Sequence, residues 1–119
     1  MNIGSKGRLG EEAVVKYLRE KGYIIVKRNY STRFGEIDVI AENETHIIFT
    51  EVKFRSEDAF VSGAEAVDAF KQRRLRATAA DFLSKLHLEL QPRFDVAEVT
   101  ESVENGQRKL KLKYMEDAF

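Results

Sequence analysis

The sequence predicts one α/β domain with a mixed sheet of about five strands and two flanking helices, in the order α-β-β-β-α-β-β. Two segments place apolar residues at helical spacing, and five shorter segments carry the apolar patterns of strands. A strand, a helix and another strand follow one another from His46 onward, and such a crossover joins parallel strands with a right-handed turn. The 119 residues suit a single domain, 1–119, in which we expect 1–8 and 116–119 to be loosely ordered tails.

The first half of the chain supplies one helix and three strands. The helix is expected over about Leu9–Lys21, because Gly22 provides a stop signal immediately after it. Tyr23–Asn29 has the composition of a strand and is followed by a polar loop. Glu36–Glu42 and His46–Phe54 are two further strands, joined by a short turn.

The second half supplies the other helix and two more strands. A long helix is expected over about Ala64–Leu86, and Pro92 then interrupts the chain before a fourth strand at Arg93–Val99. A turn near Glu104–Gln107 leads into Lys109–Met115, whose alternating pattern predicts an edge strand. The third and fourth strands are expected to pair in parallel across the crossover helix.

The composition is that of a soluble globular protein, with 43% hydrophobic and 34% charged residues. No apolar stretch approaches the length of about 18 residues that suggests a membrane span, and no leader pattern is present, so we expect no membrane association and a cytoplasmic location. The absence of cysteine excludes disulfides and thiolate metal sites.

The net charge is zero, but the charges are unevenly distributed. Residues 1–35 contain eight Lys or Arg and three Asp or Glu, whereas residues 36–51 contain five acids and no Lys or Arg. An acidic centre beside basic segments is what a metal site next to a polyanion groove requires. Ordinary solvated surface charge explains the same pattern.

Three charged residues interrupt the most strand-like segments. Side chains alternate along a strand, so Phe49, Glu51 and Lys53 are expected on one face of the third strand. If the second and third strands pair antiparallel, Asp38 lies opposite Phe49 or Glu51 and shares their face. A slip of one residue would move Asp38 to the other face.

The helices contribute two more charged residues that point inward. Glu11 lies on the apolar stripe of the first helix with Val14 and Leu18, whereas Glu12 faces water. A carboxylate on a buried stripe is costly unless it is paired or bound to a metal ion. The same angular test places Lys71 at the start of the apolar stripe of the second helix.

The chemistry of this set is that of a hydrolytic metal site. Two converging carboxylates bind a hard divalent cation such as Mg²⁺, which prefers oxygen ligands and keeps several waters. A lysine beside the cation can orient a water and stabilise charge on a phosphate. A buried salt bridge between Lys53 and either Asp38 or Glu51 is the structural alternative, and spacing alone does not exclude it.

A set of motifs covers the chain to about Val99. Asp38, twelve intervening residues and then Glu-Val-Lys on consecutive strands, behind a helix with a Glu, resembles the PD-(D/E)xK nuclease superfamily. The sequence resembles more closely the YraN-like family of predicted endonucleases, distantly similar to archaeal Holliday-junction resolvases. The matching motifs are G-E at Gly10–Glu11, Y-L at Tyr17–Leu18, G-Y at Gly22–Tyr23, R-N at Arg28–Asn29, GEIDVIA at Gly35–Ala41, FTEVKFR at Phe49–Arg55, A-V-x(3)-K at Ala66–Lys71 and RFDVAEV at Arg93–Val99.

The resemblance implies a restriction endonuclease-like core and a magnesium- or manganese-dependent endonuclease acting on DNA, with branched or damaged DNA among the candidate substrates. It implies metal ligands at Asp38 and Glu51, a catalytic lysine at Lys53 and an auxiliary catalytic and metal-binding acid at Glu11. One departure is that Ile37 stands where the superfamily name places a proline.

Several polar residues near the expected site are candidates for nucleic-acid contact because they lie at strand ends, in loops or on the inward side of the second helix. Capping of loops is the alternative for those in loops. The phenylalanines, by contrast, are expected to be core residues without a base-stacking role. The candidates for nucleic-acid contact are Arg28, Asn29, Arg33, Arg55 and Lys71.

Two other classes of function fit parts of the pattern. A non-catalytic nucleic-acid-binding module is one, since double-stranded RNA-binding domains also have an α-β-β-β-α order. The inward acids Glu11, Asp38 and Glu51 count against it, because they would repel the phosphate backbone. A degenerate nuclease fold acting as an interaction subunit is the other, and a homodimer is left open.

Overall fold

The computed structural model describes residues 5–56, 67–86 and 89–119. These residues form two helices and five strands in the predicted order, which confirms the α/β fold class. No helix in the described part of the chain is long and apolar enough to cross a membrane. The elements are α1 (Ser5–Glu20), β1 (Ile24–Thr32), β2 (Gly35–Glu42), β3 (His46–Ser56), α2 (Ala69–Leu83), β4 (Gln91–Glu104) and β5 (Gln107–Met115).

The five strands form one mixed sheet in the order β1-β2-β3-β4-β5. β3 and β4 pair in parallel, with Glu51 opposite Val96, and the other three pairs are antiparallel. The parallel pair confirms the crossover expected through α2. At the β4–β5 turn Asn105 and Gly106 both have positive φ, of 52° and 75°, as the favoured two-residue hairpin requires.

The two helices cover opposite faces of the sheet, and each face has its own core. The α1 helix lies close to the sheet at Gly10, where a Cβ atom would stand only 2.9 Å from the Phe54 ring. The α1-side cluster contains Val14, Val15, Leu18, Val39, Ala41, Ile48, Ala97 and Val99. The α2-side cluster contains Ile37, Ile40, Ile47, Phe49, Val67, Leu75, Ala79, Phe82 and Val96.

Several element boundaries differ from the predicted ones. Helix α1 begins at Ser5, and β4 runs from Gln91 to Glu104 because it pairs along its length with β3 and β5. Helix α2 begins only at Ala69, because the Asp68 side chain caps it by accepting a 2.8 Å hydrogen bond from the Lys71 backbone. The part of the expected second helix before residue 67 lies outside the described residues.

The expectation of loosely ordered tails at 1–8 and 116–119 stays a prediction, and residues 1–4 lie outside the described residues. Residues 5–8 belong to α1. At the other end, the Asp117 and Ala118 backbone N–H groups donate to the Asp95 carboxylate and the Phe94 carbonyl at 2.9 Å and 2.8 Å. Phe119 packs on the Phe94 ring with 5.4 Å between centroids. Main-chain hydrogen bonds and an aromatic contact therefore anchor the C-terminus.

Candidate active site

At Asn29 the alternation of side chains along β1 is interrupted, so that Arg28 faces α1 and Tyr30 faces α2. The Arg28 guanidinium bonds to Glu11 of α1, whereas the Tyr30 hydroxyl donates to Asp81 of α2 at 2.5 Å. Residues two apart in a regular strand share a face, so a local reversal separates Arg28 from Tyr30. The left-handed backbone of Asn29, with φ of 53°, produces it.

Strand β2 makes the same change at Asp38, which the register places opposite Asn29. Val39 belongs to the α1-side cluster and Ile37 to the α2-side cluster. The Asp38 side chain is therefore turned toward β3, where its Oδ2 accepts a 2.7 Å hydrogen bond from the Val52 backbone N–H. The ladder pairs of β2 and β3 end at Val39, so this carboxylate caps the point where the two strands separate.

Strand β3 brings Glu51 and Lys53 to the α2 side, as alternation predicts. The register that pairs Ile40 with Phe49 leaves Glu51 level with Asp38, one of the two registers that the sequence allows. Glu51 is only 7% exposed, and its Oε2 lies 2.6 Å from Lys71 Nζ of α2. The inward angle expected for Lys71 is thus observed.

The two carboxyl groups have opposite pKa shifts, since they lie close enough to share a proton. Burial and the hydrogen bond with Glu51 raise the pKa of Asp38 to about 8. Burial alone would also raise the pKa of Glu51, but the hydrogen bond from Asp38 and the Lys71 ammonium outweigh it and lower that pKa. Near neutral pH one proton therefore resides mainly on Asp38 while Glu51 is ionised.

The two lysines also differ. Burial and the neighbouring Lys71 cation lower the pKa of Lys53, against the opposing attraction of Glu51. For Lys71 burial acts to lower the pKa, but its contact with Glu51 outweighs that effect and raises it. Lys53 is consequently the amine that gives up a proton more readily, and Lys71 is the fixed counter-charge of Glu51.

Glu11 is buried as predicted but does not join this cluster. Its Oε1 accepts hydrogen bonds from Arg28 Nε at 2.9 Å and Asn29 Nδ2 at 3.1 Å. Among the described residues no group of three or more Asp, Glu, His or Cys is arranged to hold a metal ion. Glu11 thus pairs with Arg28 and Asn29 of β1 in this structure, and its role as a third metal-binding acid stays a prediction.

The remaining pair of acids suits a hard divalent cation. Mg²⁺ in proteins is commonly bound through one or two carboxylates, with waters and substrate phosphate oxygens completing its shell. Glu51 Oε2 is buried and forms an ion pair with Lys71 Nζ. Among the described residues, however, this oxygen accepts no hydrogen bond of good geometry. Asp38 and Glu51 thus offer two adjacent oxygen donors whose mutual repulsion a cation would relieve.

The predicted nucleic-acid contacts have different surroundings. Arg28 is held by Glu11 and by Glu12, whose Oε1 lies 2.6 Å from Arg28 Nη2, so it ties β1 to α1. Arg33 is exposed beside the β1–β2 turn, and Arg55 near the end of β3 is half-buried with Nε lacking a hydrogen-bond partner in the described structure. These two and Lys71 stay candidates for phosphate contact. Asn29 is exposed but bonds to Glu11 through its amide.

A cleft of about 400 Å³ opens beside Glu51 and was not expected from the sequence. Ser31 and Thr32 of β1 line one side, and Lys71 and Arg74 of α2 line the other. Only the packing of a hairpin against a helix creates this space. Arg74 carried no signal in the sequence beyond its place in a basic helix segment.

The expectation that the phenylalanines are core residues is wrong at two positions. Phe34 is 37% exposed and Phe70 is 61% exposed. Phe34 lies at a turn and Phe70 in the first turn of a helix, where the core does not reach. Their high exposure is a structural result that residue type alone does not predict.

Comparisons with known proteins identify one family. Residues 10–99 match the profile of the family described as Uncharacterised protein family UPF0102. A UPF0102 protein of Alkaliphilus oremlandii is 42% identical over 116 residues, which are 95% of this chain and 96% of that protein. One of Clostridioides difficile is 43% identical over 100 residues, and one of Thermodesulfovibrio yellowstonii is 36% identical over 113 residues. They cover 83% and 95% of this chain, and 88% and 94% of their own lengths.

The chain therefore belongs to UPF0102. This confirms the resemblance to the YraN-like family at the level of the family. The wider assignment to the PD-(D/E)xK superfamily stays a prediction.

Proposed function

We propose that this protein is a divalent-metal-dependent endonuclease of the PD-(D/E)xK type, which hydrolyses phosphodiester bonds in DNA. One observation carries the proposal: Asp38, Glu51 and Lys53 come together where β2 and β3 separate, on the side covered by α2. Perturbed pKa values cluster at functional sites, so a raised pKa at Asp38 beside a lowered one at Lys53 supports a catalytic role.

Asp38 and Glu51 would hold the cation, Mg²⁺ or Mn²⁺. Bound there, the ion would neutralise charge on the phosphate and make a coordinated water more acidic. Deprotonation of Asp38 is a condition for binding, because its pKa of about 8 leaves it largely protonated at neutral pH without a cation. We therefore expect metal binding to release a proton.

The lysines have different roles in this proposal. Lys53 Nζ, in its neutral form, accepts a proton from the attacking water and becomes an ammonium, and its lowered pKa makes the neutral form more accessible. Lys71, whose Nζ lies 2.6 Å from Glu51 Oε2, keeps that carboxylate ionised. Its ammonium group also stabilises negative charge on the substrate phosphate.

Glu11 acts as a positioning residue. It bonds to Asn29 on β1, and Asn29 lies opposite Asp38 in the register of β1 and β2. By holding the reversal at Asn29, Glu11 fixes the point from which Asp38 turns toward β3. Its effect on the reaction is thus indirect, through the direction of the Asp38 carboxylate.

A nucleic-acid-binding module without catalysis is the second candidate. The ion pair of Lys71 with Glu51 favours it, since an internal cation already compensates the carboxylate pair in the protein alone. A degenerate fold that serves as an interaction subunit would have the same feature. Cleavage assays separate the nuclease from both alternatives.

The test uses purified protein with end-labelled single-stranded, duplex, nicked and four-way-junction DNA, each with Mg²⁺, with Mn²⁺ or with EDTA. We expect cleavage of at least one substrate with metal and none with EDTA. Lys53→Ala should lower the rate by about 10²- to 10⁴-fold, because a positioned proton-transfer group is lost. The exposed Lys27 of β1 supplies the control, and Lys27→Ala should cut within about twofold of wild type.

Calorimetric titration with Mn²⁺ accompanies the rates. Lys53→Ala should still bind the ion, whereas Asp38→Ala should not, which separates the role of the lysine from that of the ligand. If Lys53→Ala cuts as fast as wild type, Lys53 is only a salt-bridge residue and the mechanism is wrong. If the wild type binds DNA yet cuts none under every metal condition, the binding module is the better description.

A further inference from the structure

Two phenylalanines lie outside both core clusters of the described structure. Phe34 is at the β1–β2 turn and Phe70 in the first turn of α2, and they are 37% and 61% exposed. The other described phenylalanines, Phe49, Phe54, Phe82, Phe94 and Phe119, belong to or pack against a cluster. Single exposed apolar side chains are common on protein surfaces, so the exposure of these two rings points to a ligand only together with the groups around them.

Each of the two rings is accompanied by arginine. The Arg33 guanidinium carbon lies 4.9 Å from the centroid of the Phe34 ring, and those of Arg73 and Arg74 lie 6.0 Å and 5.7 Å from that of Phe70. A cation–π contact at an exposed site contributes only about 0.5–1 kcal/mol. Aromatic faces next to cations are, however, what a nucleic-acid strand meets in proteins that stack its bases.

Arg74 connects the two rings to one cleft. A Cβ atom at Gly35, the residue after Phe34, would lie 3.5 Å from Arg74 Nε, while the Arg74 guanidinium lies near Phe70. Arg74 also lines the cleft of about 400 Å³ that reaches Glu51. Gly35 and Lys71, which follow Phe34 and Phe70 in the sequence, also line this cleft, so both phenylalanines are next to residues of the cleft.

We propose that Phe34 and Phe70 stack the bases of unpaired nucleotides and lead a single-stranded segment into the cleft beside Glu51. The bases of a duplex already stack on one another and offer only their edges, whereas unpaired bases expose their faces to an aromatic ring. This inference rests on the proposed nuclease function and assigns its substrate class: single-stranded DNA or RNA, including unpaired stretches within branched molecules.

The charge of the protein points in the same direction. Its net charge is zero, so general attraction to a polyanion is weak. Positive charge is instead local: Arg33, Arg73 and Arg74 lie beside the rings, and Lys71 lines the cleft next to Glu51. Stacking supplies affinity that such a limited set of phosphate contacts does not.

The experiment measures binding without cleavage, by fluorescence anisotropy in EDTA. The probes are a labelled oligothymidylate of about 12 nucleotides, oligouridylate of the same length and a duplex of the same length. Phe34→Leu and Phe70→Leu should each weaken binding of the single strands by about 5- to 150-fold, the range for loss of one stacked base, and binding of the duplex by less than about twofold. Phe34→Tyr and Phe70→Tyr keep the ring and should bind like wild type.

Ile24 and Val103, each 69% exposed on the sheet, provide matched controls. Ile24→Ala and Val103→Ala should leave single-strand affinity unchanged. The proposal is overturned if Phe70→Leu and Phe34→Leu bind single strands as tightly as wild type, or if wild type binds only the duplex. It is also overturned if these leucine variants only dissociate a dimer in sedimentation, because the rings then serve a second copy of the chain.

Since the probes are bound without metal, this result is independent of turnover. A protein that binds single strands through the two rings but cuts nothing would refute the nuclease function and retain the stacking role of Phe34 and Phe70. A protein that cuts single-stranded DNA, and whose two leucine variants bind and cut that single strand as well as wild type, would retain the nuclease function and refute the stacking role of Phe34 and Phe70.

Discussion

Replacing Asp38 with asparagine tests whether the buried carboxyl pair governs the stability of the fold. Asparagine has nearly the same shape, and its side-chain oxygen can still accept the hydrogen bond that the Val52 backbone N–H donates at 2.7 Å. The substitution therefore removes the titration of residue 38 and its charge repulsion with Glu51 while it retains the cap between β2 and β3.

The magnitude follows from the pKa of Asp38, raised from its ordinary value of 3.8 to about 8. The folded protein binds this proton more tightly than the unfolded chain, so the stability that the proton contributes is complete below pH 3.8 and is lost as the pH rises through about 8. Each pH unit in this window removes at most about 1.4 kcal/mol, and the interval from pH 6 to pH 8 therefore removes up to about 3 kcal/mol. The lowered pKa of Glu51 has the opposite effect on the pH dependence of stability, but that effect is confined to pH values below about 4.5, its ordinary pKa.

The assay is urea unfolding in EDTA at pH 5 to 9, comparing wild type with Asp38→Asn. The difference in unfolding free energy should move in favour of the variant by about 1–3 kcal/mol between pH 6 and pH 8. Glu44→Gln, at an exposed carboxylate in the β2–β3 turn, should run parallel to wild type. Parallel curves for Asp38→Asn and wild type would refute the shared proton and with it the close carboxylate pair.

The same proteins test the metal site at about pH 8. A few millimolar Mg²⁺ or Mn²⁺ should raise the melting temperature of wild type, because the ion binds the folded pair and not the unfolded chain. The rise should be smaller at pH 6, where the proton competes with the ion, and it should be absent in Asp38→Asn. An equal rise in wild type and variant would place the ion elsewhere.

Two further predictions concern residues around the site. Asp95→Ala should lower the unfolding free energy by about 3–5 kcal/mol in urea titrations, because it leaves Arg93, whose side chain is only 14% exposed, and the Tyr114 hydroxyl without their buried acceptor. Glu11→Gln should lower the unfolding free energy by about 1–2 kcal/mol in the same assay, because Glu11 is buried. Glu12→Gln should lower it by less than about 1 kcal/mol, because Glu12 is exposed. Both variants should keep the metal-dependent rise in melting temperature.

The sequence predicted the fold and one side of the site well for a physical reason. In β3 one face packs on α2, so alternation alone determines that Phe49 and Glu51 point the same way. Lys71 was likewise placed correctly, because its angle on α2 depends only on helical periodicity. Patterns of this kind are local, and a regular backbone carries them through the whole element.

Asp38 and Glu11 show where such reasoning ends. Alternation along β2 assumes a regular strand, but the reversal at Asn29 and Asp38 directs the carboxylate toward β3 rather than toward the α2 core. A left-handed asparagine is compatible with many contexts, so no local signal predicts it. The partner of Glu11 was missed for the same reason, since the reversal is what carries Asn29 to the α1 side.

The reversal also bears on why the chain has an aspartate at position 38. A cap for the Val52 N–H needs only an acceptor, and asparagine would supply one without the proton linkage of a carboxyl beside Glu51. An aspartate there raises the free energy of the folded state at and above neutral pH, by the same linkage that the asparagine variant is expected to remove. Under the proposed function, the charge of Asp38 compensates for this cost when a cation is bound. The stability gained by Asp38→Asn and the metal response lost with it are thus two measurements of one property, and they should change together.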